Sequence, residues 1–266
     1  MKRMLPAALG GILAAALLAG CGSSASDPVQ EVCVRQTSAD GSCILYDYTA
    51  DGNQSKAVNY AADGMLLGWT EYTYNEDGLQ TEETTYDADG AMQSRCQTEY
   101  QDGNMTRRTY YAGDDTQQYQ ETFSYDEKGF PTKETYTSDS MSYWYDIETD
   151  ENGEETKRTL MDESDEPTIT VTFDYNASGL LIKTTTYEDA SMETMQGWTE
   201  NDYDADGNLT RQTSYDDAAQ VDTVWEYRYD GNGNLIEVST NGAGSAQTLT
   251  EYEYAPLSDV IQDNQS

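Results

Sequence analysis

Three groups of residues have types and spacings that could do chemistry. Asp202-x-Asp204-x-Asp206-Gly207 sets carboxylates at alternate positions before a glycine, which is how a calcium loop begins. The twelfth position from Asp202 is Thr213, where a helix-flanked calcium loop carries a bidentate Glu. The run therefore reads as an acidic hairpin turn or as a weak calcium site. Cys33 and Cys43 bracket Ala39-Asp40-Gly41, a turn signal. A short hairpin would face them as a disulfide, the natural state in an exported protein. Trp69, Trp144 and Trp198 each stand nine residues before a recurring glycine. On one sheet face they would stack sugars or peptides, or else pack against the neighbouring turn. Cys96 reads as a small packed residue, because the chain has no His to activate it.

The composition removes whole reaction classes. With no His among 266 residues, a Ser-His or Cys-His pair and a His-ligated zinc or haem are excluded. Acidic residues number 50 against 14 basic ones, for a net charge of −36. Charge of that sign repels phosphate backbones, so no nucleic-acid partner is expected. No cofactor is implied beyond weak calcium. Acidic residues are so widespread that no carboxylate pair stands out as a hydrolytic site.

The elements that must position these residues follow from a repeat. Few aliphatic residues and high net charge normally give disorder. The counterweight is 22 Tyr, regularly spaced. Tyr-(Asp/Asn)-x-x-Gly recurs, as in Tyr74-Asn75-Glu76-Asp77-Gly78 and Tyr125-Asp126-Glu127-Lys128-Gly129. From Gly52 the successive glycine spacings are 26, 25, 26, 24, 26, 28 and 26. A second turn signal lies about twelve residues on, as at Ala62-Asp63-Gly64 and Ala88-Asp89-Gly90. Asp, Asn and Gly make turns for separate physical reasons. Thr, Tyr, Trp and Val between them favour strands. Each repeat of about 26 residues is then one hairpin. The expected fold is all-β: an elongated array of antiparallel hairpins forming a spiral or a meandering sheet. Period-two counting puts Tyr72 with Tyr74 on one face and the three Trp on the other. It also puts the Tyr eight residues after each glycine, such as Tyr86, on the face of the residue two after it.

Two resemblances add to this. Lys2-Arg3, the apolar run from Met4 to Ala19 and Leu18-Ala19-Gly20-Cys21 resemble a bacterial lipoprotein signal ending in a lipobox. That implies a signal peptide over 1–20, a fatty-acylated Cys21 at the mature N-terminus and a flexible tether over 21–30. The repeat domain would occupy 31–266. Tyr203-Asp204-Ala205-Asp206-Gly207-Asn208-Leu209 and Tyr229-Asp230-Gly231-Asn232-Gly233-Asn234-Leu235 are similar to the YD repeat of Rhs-type proteins. That resemblance implies a spiral of hairpins on a bacterial surface or in a secreted toxin. The repeats run almost to Ser266, so the toxin role is not carried over.

The expectation is an exported lipoprotein without catalytic activity, facing outside the cytoplasm on the cell or outer membrane. Its partners would be the membrane, through the lipid on Cys21, and an extracellular or envelope protein or glycan. A structural envelope spacer, or an immunity or accessory protein of an Rhs-type toxin system, remain alternatives.

Overall fold

The computed structural model describes residues 30–242 and 247–263. The expected signal peptide, Cys21 and most of the tether lie outside them. β1 spans Glu31–Ser38, β2 Cys43–Tyr48, β3 Gln54–Tyr60, β4 Leu66–Tyr74, β5 Gln80–Asp87 and β6 Met92–Gln101. Next come β7 (Asn104–Ala112), β8 (Gln117–Tyr125), β9 (Pro131–Ser138), β10 (Ser142–Thr149), β11 (Glu155–Met161) and β12 (Pro167–Tyr175). The remainder are β13 (Leu181–Tyr187), β14 (Met195–Tyr203), β15 (Leu209–Asp216), β16 (Val221–Tyr229), β17 (Leu235–Gly242) and β18 (Thr248–Pro256). A short helix, α1, covers Leu257–Asp263.

The YD turn shows why the chain reverses where it does. In Asn75-Glu76-Asp77-Gly78-Leu79, the Gly78 amide donates to the Asn75 carbonyl at 3.0 Å and the Asn75 amide to the Leu79 carbonyl at 2.9 Å. This is a type I turn closed by a left-handed bulge residue. Gly78 takes φ +77°, a conformation that costs glycine nothing. The Asn75 side chain completes the turn, its Oδ1 accepting the Asp77 amide at 3.1 Å and the Leu79 amide at 2.9 Å. Asp126, Asp150, Asn176, Asp204 and Asp230 repeat that arrangement.

The sheet is antiparallel throughout and each strand pairs with its neighbours in sequence, but it is closed. β1 pairs with β2 on one side and with β18 on the other, from Glu31↔Pro256 to Ser38↔Thr250. The 18 strands therefore form a barrel, and the expected open spiral or meander is corrected. Closure removes both edge strands, whose unpaired amides and carbonyls would otherwise template association. An even strand number permits it, because neighbours must alternate in direction around the ring. At the seam Val32 is buried, and so is Leu257 of α1, which packs against β18, β1 and β2.

The register assigns two faces, since residues directly opposite in an antiparallel pair lie on the same side. The inner face carries Tyr72/Glu83, Cys96/Tyr110, Arg108/Glu121 and Tyr136/Tyr143. Burial pushes the phenols of Tyr46, Tyr119 and Tyr143 there up to about 12. The outer face carries Lys56/Glu71, Trp69/Tyr86 and Glu99/Arg107. Those pairs form exposed ion bridges, Lys56–Glu71 at 3.2 Å and Arg107–Glu99 at 3.2 Å. A lipid-facing barrel needs an apolar band there instead.

The expected grouping of Tyr86 with Gln80 is corrected by a β-bulge. Tyr74 pairs with Gln80, but Thr73 pairs with Glu82, so Thr81 is the extra residue. The bulge reverses parity, turning Tyr86 outward beside Trp69 while Tyr74 stays inside. The same happens in the next repeat, where Tyr100 pairs with Met105 inside and Arg95 with Tyr111 outside.

A ring of 18 strands is wider than side chains fill. Val32, Ala57 and Leu257 are the buried hydrophobics among the described residues. Thr170, Thr185, Thr213 and their equivalents are buried instead, in mid-strand under longer neighbours. Stability comes from ladders, turns and cross-strand pairs rather than from a thick core.

Candidate functional site

The YD tyrosine has a use that spacing alone does not disclose. The Tyr74 hydroxyl donates to the Gln54 carbonyl at 2.7 Å, and Tyr100 to Gln80 at 2.9 Å. Tyr125→Met105, Tyr175→Glu155, Tyr203→Leu181 and Tyr229→Leu209 continue the series at 2.7 to 3.0 Å. Each acceptor lies two residues after the preceding repeat glycine. The hydroxyl thus latches one repeat to the one before it, at the carbonyl where the bulge interrupts the ladder. The recurring interval between Tyr and acceptor was the signal that could have revealed it.

The predicted calcium residues are held in the turn that Asp204 builds. Its Oδ1 accepts the Asp206 and Asn208 amides, each at 2.9 Å, and its Oδ2 accepts the Asn208 side-chain amide at 3.0 Å. Asp202 stands on the neighbouring strand opposite Arg211. No three acidic or Cys side chains converge as a metal group among the described residues. The Asp204 oxygens are thus engaged by N–H donors of the turn itself. A shallow cleft of about 520 Å³ separates this turn from the β12–β13 turn, lined by Asn176, Leu180, Ile182, Asn201 and Tyr203 among others.

The turn carboxylates carry a pH signature. The Asn208 side chain and amide hold Asp204 below the usual carboxylate range, and the Asn234 amide does so for Asp230. A lowered folded pKa gives stability that is fully present above the unfolded value, about 3.9, and is lost as pH falls through the folded value. Glu121 acts oppositely, since burial raises its pKa and protonation favours the folded state. We expect Asp204→Asn with Asp230→Asn to melt somewhat below the wild type at pH 7, because a neutral amide makes the turn, as at Asn75 and Asn176, but gives up the carboxylate oxygen that accepts the Asn208 and Asn234 side chains. Their melting temperature should fall less below pH 4 than that of the wild type. An unchanged acid limb in a pH series of thermal melts would refute the assignment.

Cys33 and Cys43 do not form the expected disulfide. β1 and β2 pair Thr37 with Cys43 and Arg35 with Leu45, so Cys33 lies further along the hairpin and faces the other way. Cys33, Cys43 and Cys96 are free thiols. Burial pushes Cys33 up to about 11, far from the thiolate that reactivity needs.

The tryptophans face outward, as parity requires, but they make no continuous row, since they occupy β4, β10 and β14. Trp69 stacks on Tyr86 at 5.2 Å with the Lys56 ammonium 4.8 Å from its ring, and its Nε1 donates to Glu71 at 2.9 Å. Trp198 repeats this with Tyr215 at 4.7 Å, Lys183 at 5.2 Å and Glu200 at 3.0 Å. Lys133 stands 4.2 Å from the Trp144 ring. Trp69 and Trp198 are thus each engaged by a stacked phenol and a cation, and Trp144 by a cation alone.

Inside, Tyr110, Tyr119, Tyr136 and Tyr143 form a column across β7 to β10, with centroids 4.1, 4.9 and 4.7 Å apart. The two inner guanidiniums flank it. Arg158 bridges Glu134 at 3.1 Å and Glu155 at 2.7 Å. Arg108 stands opposite Glu121, which accepts the Tyr110 hydroxyl at 3.1 Å. The rings cover one another's faces, so the column shows the interior its edges and hydroxyls.

Residues 203–246 match the family model described as RHS Repeat. Over that segment the chain carries Rhs-type repeat sequence. The matched segment contains two of the latch tyrosines, Tyr203 and Tyr229, with their Asp204 and Asp230 turns. Among curated proteins none matches the chain in sequence. Two solved structures described as porin-like align over 98% of their own length and 84% of this chain. The one from Bacteroides uniformis is 12% identical with a TM-score of 0.48, and the one from Bacteroides vulgatus 10% with 0.33. The Tc holotoxin pore of Photorhabdus luminescens aligns with 83% of this chain at 14% identity and a TM-score of 0.35. This chain spans 15% of that structure's length.

Proposed function

We propose that this Rhs-repeat barrel is an exported lipoprotein without catalytic activity, tethered through Cys21, that presents its surface to an extracellular or envelope partner. The observation that carries the reading is where its polar side chains go. The turn carboxylates accept backbone amides, the YD hydroxyls donate to backbone carbonyls, and the Trp–Lys–Glu groups bond to each other. The groups that sequence spacing offered for chemistry serve instead to hold a rigid scaffold. What such a scaffold offers is position and surface. The basic, apolar and small-residue run ending at Cys21 supports export and a lipid tether, and two or more acyl chains hold a protein stably at a membrane. The polar outer face supports a barrel standing in water rather than spanning lipid.

The test compares the wild type with Cys21→Ala in intact cells. The wild type should fractionate with membranes, carry lipid on Cys21 by mass spectrometry and be cleaved by protease only where the outer surface is reachable. Cys21→Ala should lose the lipid and leave the membrane fraction. Identical partitioning of both proteins, with no lipid found, would sink the reading.

A further inference from the structure

The fourth tryptophan, Trp225, stands apart from the other three. It lies on β16 two residues before Tyr227, and the ladder pairs it with Gln212 of β15 and Thr240 of β17. No bulge separates Trp225 from Tyr227, so both face the inside of the ring. Trp69, Trp144 and Trp198 face outward, each with a lysine ammonium over its ring. Among the described residues no cation and no second aromatic ring stacks on Trp225. Its side chain is half-buried.

The wall around Trp225 is neutral and continuous. The register carries one inward row across five adjacent strands, Asn201↔Gln212↔Trp225↔Thr240↔Thr248. The row on one side is Thr199, Ser214, Thr223 and Gly242, all small. On the other side Val238 and Thr250 lie next to Tyr227. The charges of the same strands point outward, as in Lys183/Glu200, Asp202/Arg211 and Arg228/Glu237. Two acids approach this wall, Asp216 and Asp222, and both flank the β15–β16 turn at the rim. There Asp222 Oδ2 accepts the Ser214 hydroxyl at 3.4 Å and the Thr223 hydroxyl at 3.2 Å. The wall from β5 to β11 is unlike it, with Glu83, Glu121, Glu134, Arg108 and Arg158 facing in. In a chain of which 24% is charged, an inner surface five strands wide with no charge at mid-strand calls for a reason.

We propose that this inner wall binds an uncharged oligosaccharide, with one sugar ring stacked on Trp225. The indole offers a broad apolar face, and a pyranose offers C–H bonds on its faces and hydroxyls around its edge. Asn, Gln, Ser and Thr both donate and accept hydrogen bonds, as sugar hydroxyls do, so the row can meet a hydroxyl in either sense. Its amides are already aligned. Gln212 Nε2 donates to Asn201 Oδ1 at 2.9 Å, and Asn201 Nδ2 donates to the Leu181 carbonyl at 2.9 Å. Those bonds hold both side chains and leave Gln212 Oε1 as an acceptor beside the indole. A ring of 18 strands is wider than its side chains fill. Five strands at about 4.8 Å spacing make the row about 19 Å long, which suits several sugar units in line. The rival classes fit less well. An anion meets a net charge of −36, and a cation finds its acids on the β5–β11 wall. An extended peptide is captured by pairing at a sheet edge, and closure of β1 on β18 leaves no edge. The site is inside the ring and depends neither on the outer surface nor on the tether.

The probes are neutral hexasaccharides of the cellulose, starch, mannan and chitin types, with hexagalacturonate as the charged comparison. Each is titrated into the full-length Cys21→Ala protein. Calorimetry gives the affinity, and tryptophan fluorescence gives the location, since Trp225 is the inward-facing indole. At least one neutral hexasaccharide should bind, and hexagalacturonate should bind at least about tenfold more weakly. Trp225→Ala should lose at least about tenfold, or roughly 1.4 kcal/mol, while Trp69→Ala on the outer face should stay within about twofold. Trp225→Tyr keeps a flat ring, so it should retain most of the affinity and lose the fluorescence response. Gln212→Leu leaves the indole and should weaken binding about fivefold, the worth of one hydrogen bond. Melting curves check each fold, and if Trp225→Ala does not fold, the Tyr and Leu variants decide. The proposal is overturned if no neutral hexasaccharide binds, or if Trp225→Ala binds as the parent does. A fluorescence response that persists in Trp225→Tyr, or an equal loss in Trp69→Ala, would overturn it too. None of these results bears on lipid attachment at Cys21, which fractionation tests separately.

Discussion

Deleting Gly103–Lys128 should leave a folded, monomeric barrel, whereas deleting Gly103–Asp115 should abolish cooperative folding. The longer deletion removes β7 and β8 and joins Asp102 to Gly129, which rebuilds an Asp-Gly turn between β6 and β9. The strand number stays even, so β18 can still close on β1. The shorter deletion removes β7 alone. Directions then cannot alternate around the whole ring, and one seam must open or pair in parallel. An open seam exposes two edges of unpaired backbone groups. Each ladder hydrogen bond given up to water costs about 0.5–1.5 kcal/mol net, a seam holds several, and a domain has only about 5–15 kcal/mol in total. Losing one seam of hydrogen bonds is therefore enough to unfold it. Far-UV circular dichroism melts and size-exclusion chromatography read the outcome. A cooperative, monomeric product from the shorter deletion, or equal collapse of both, would contradict a ring built from direction-alternating hairpins.

Much of this architecture was legible because it is local. The glycine spacing, the Asp and Asn ahead of each glycine, and the Thr- and Tyr-rich runs dictate turns and strands within a few residues of themselves. Trp69 and Tyr72 were placed on opposite faces by parity alone. What was not legible is what depends on distant partners or on one extra residue. Closure is decided by β1 meeting β18, whose pairing from Glu31↔Pro256 onward leaves no periodic mark. The face of Tyr86 was misread because Thr81 is a bulge residue, and a bulge does not interrupt the count of letters. The Cys33–Cys43 pair failed on register, four positions of strand separating Cys33 from Thr37, the residue opposite Cys43. The acidic run around Asp204 looked like a metal loop because metal loops and Asx turns use the same residues. They differ only in whether the oxygens face an ion or the backbone amides of the turn itself. At Asp204 they face Asp206 and Asn208.

The largest effect from small chemical changes should come from the latch. Tyr74, Tyr100, Tyr125, Tyr175, Tyr203 and Tyr229 each give one hydroxyl proton to a carbonyl of the preceding repeat. Substitution by Phe keeps the ring and its packing and removes the hydrogen bond alone. One such change should cost about 1 kcal/mol, the net worth of a typical hydrogen bond, and somewhat more where the carbonyl stays dry. The latches act on separate carbonyls, so their costs should add. All six Phe substitutions together should lower stability by roughly 6 kcal/mol, comparable to the whole margin of a small domain. Single variants should lower the denaturant midpoint with an unchanged slope, and the sixfold variant should be unfolded or close to it at room temperature. Tyr86→Phe with Tyr215→Phe is the matched control. Those rings lie on the outer face and act by stacking on Trp69 and Trp198, which Phe preserves, so the melting curve should barely move. If the outer pair cost as much as two latch tyrosines, the hydroxyl would not be the operative group. The recurring Tyr would then be there for its ring.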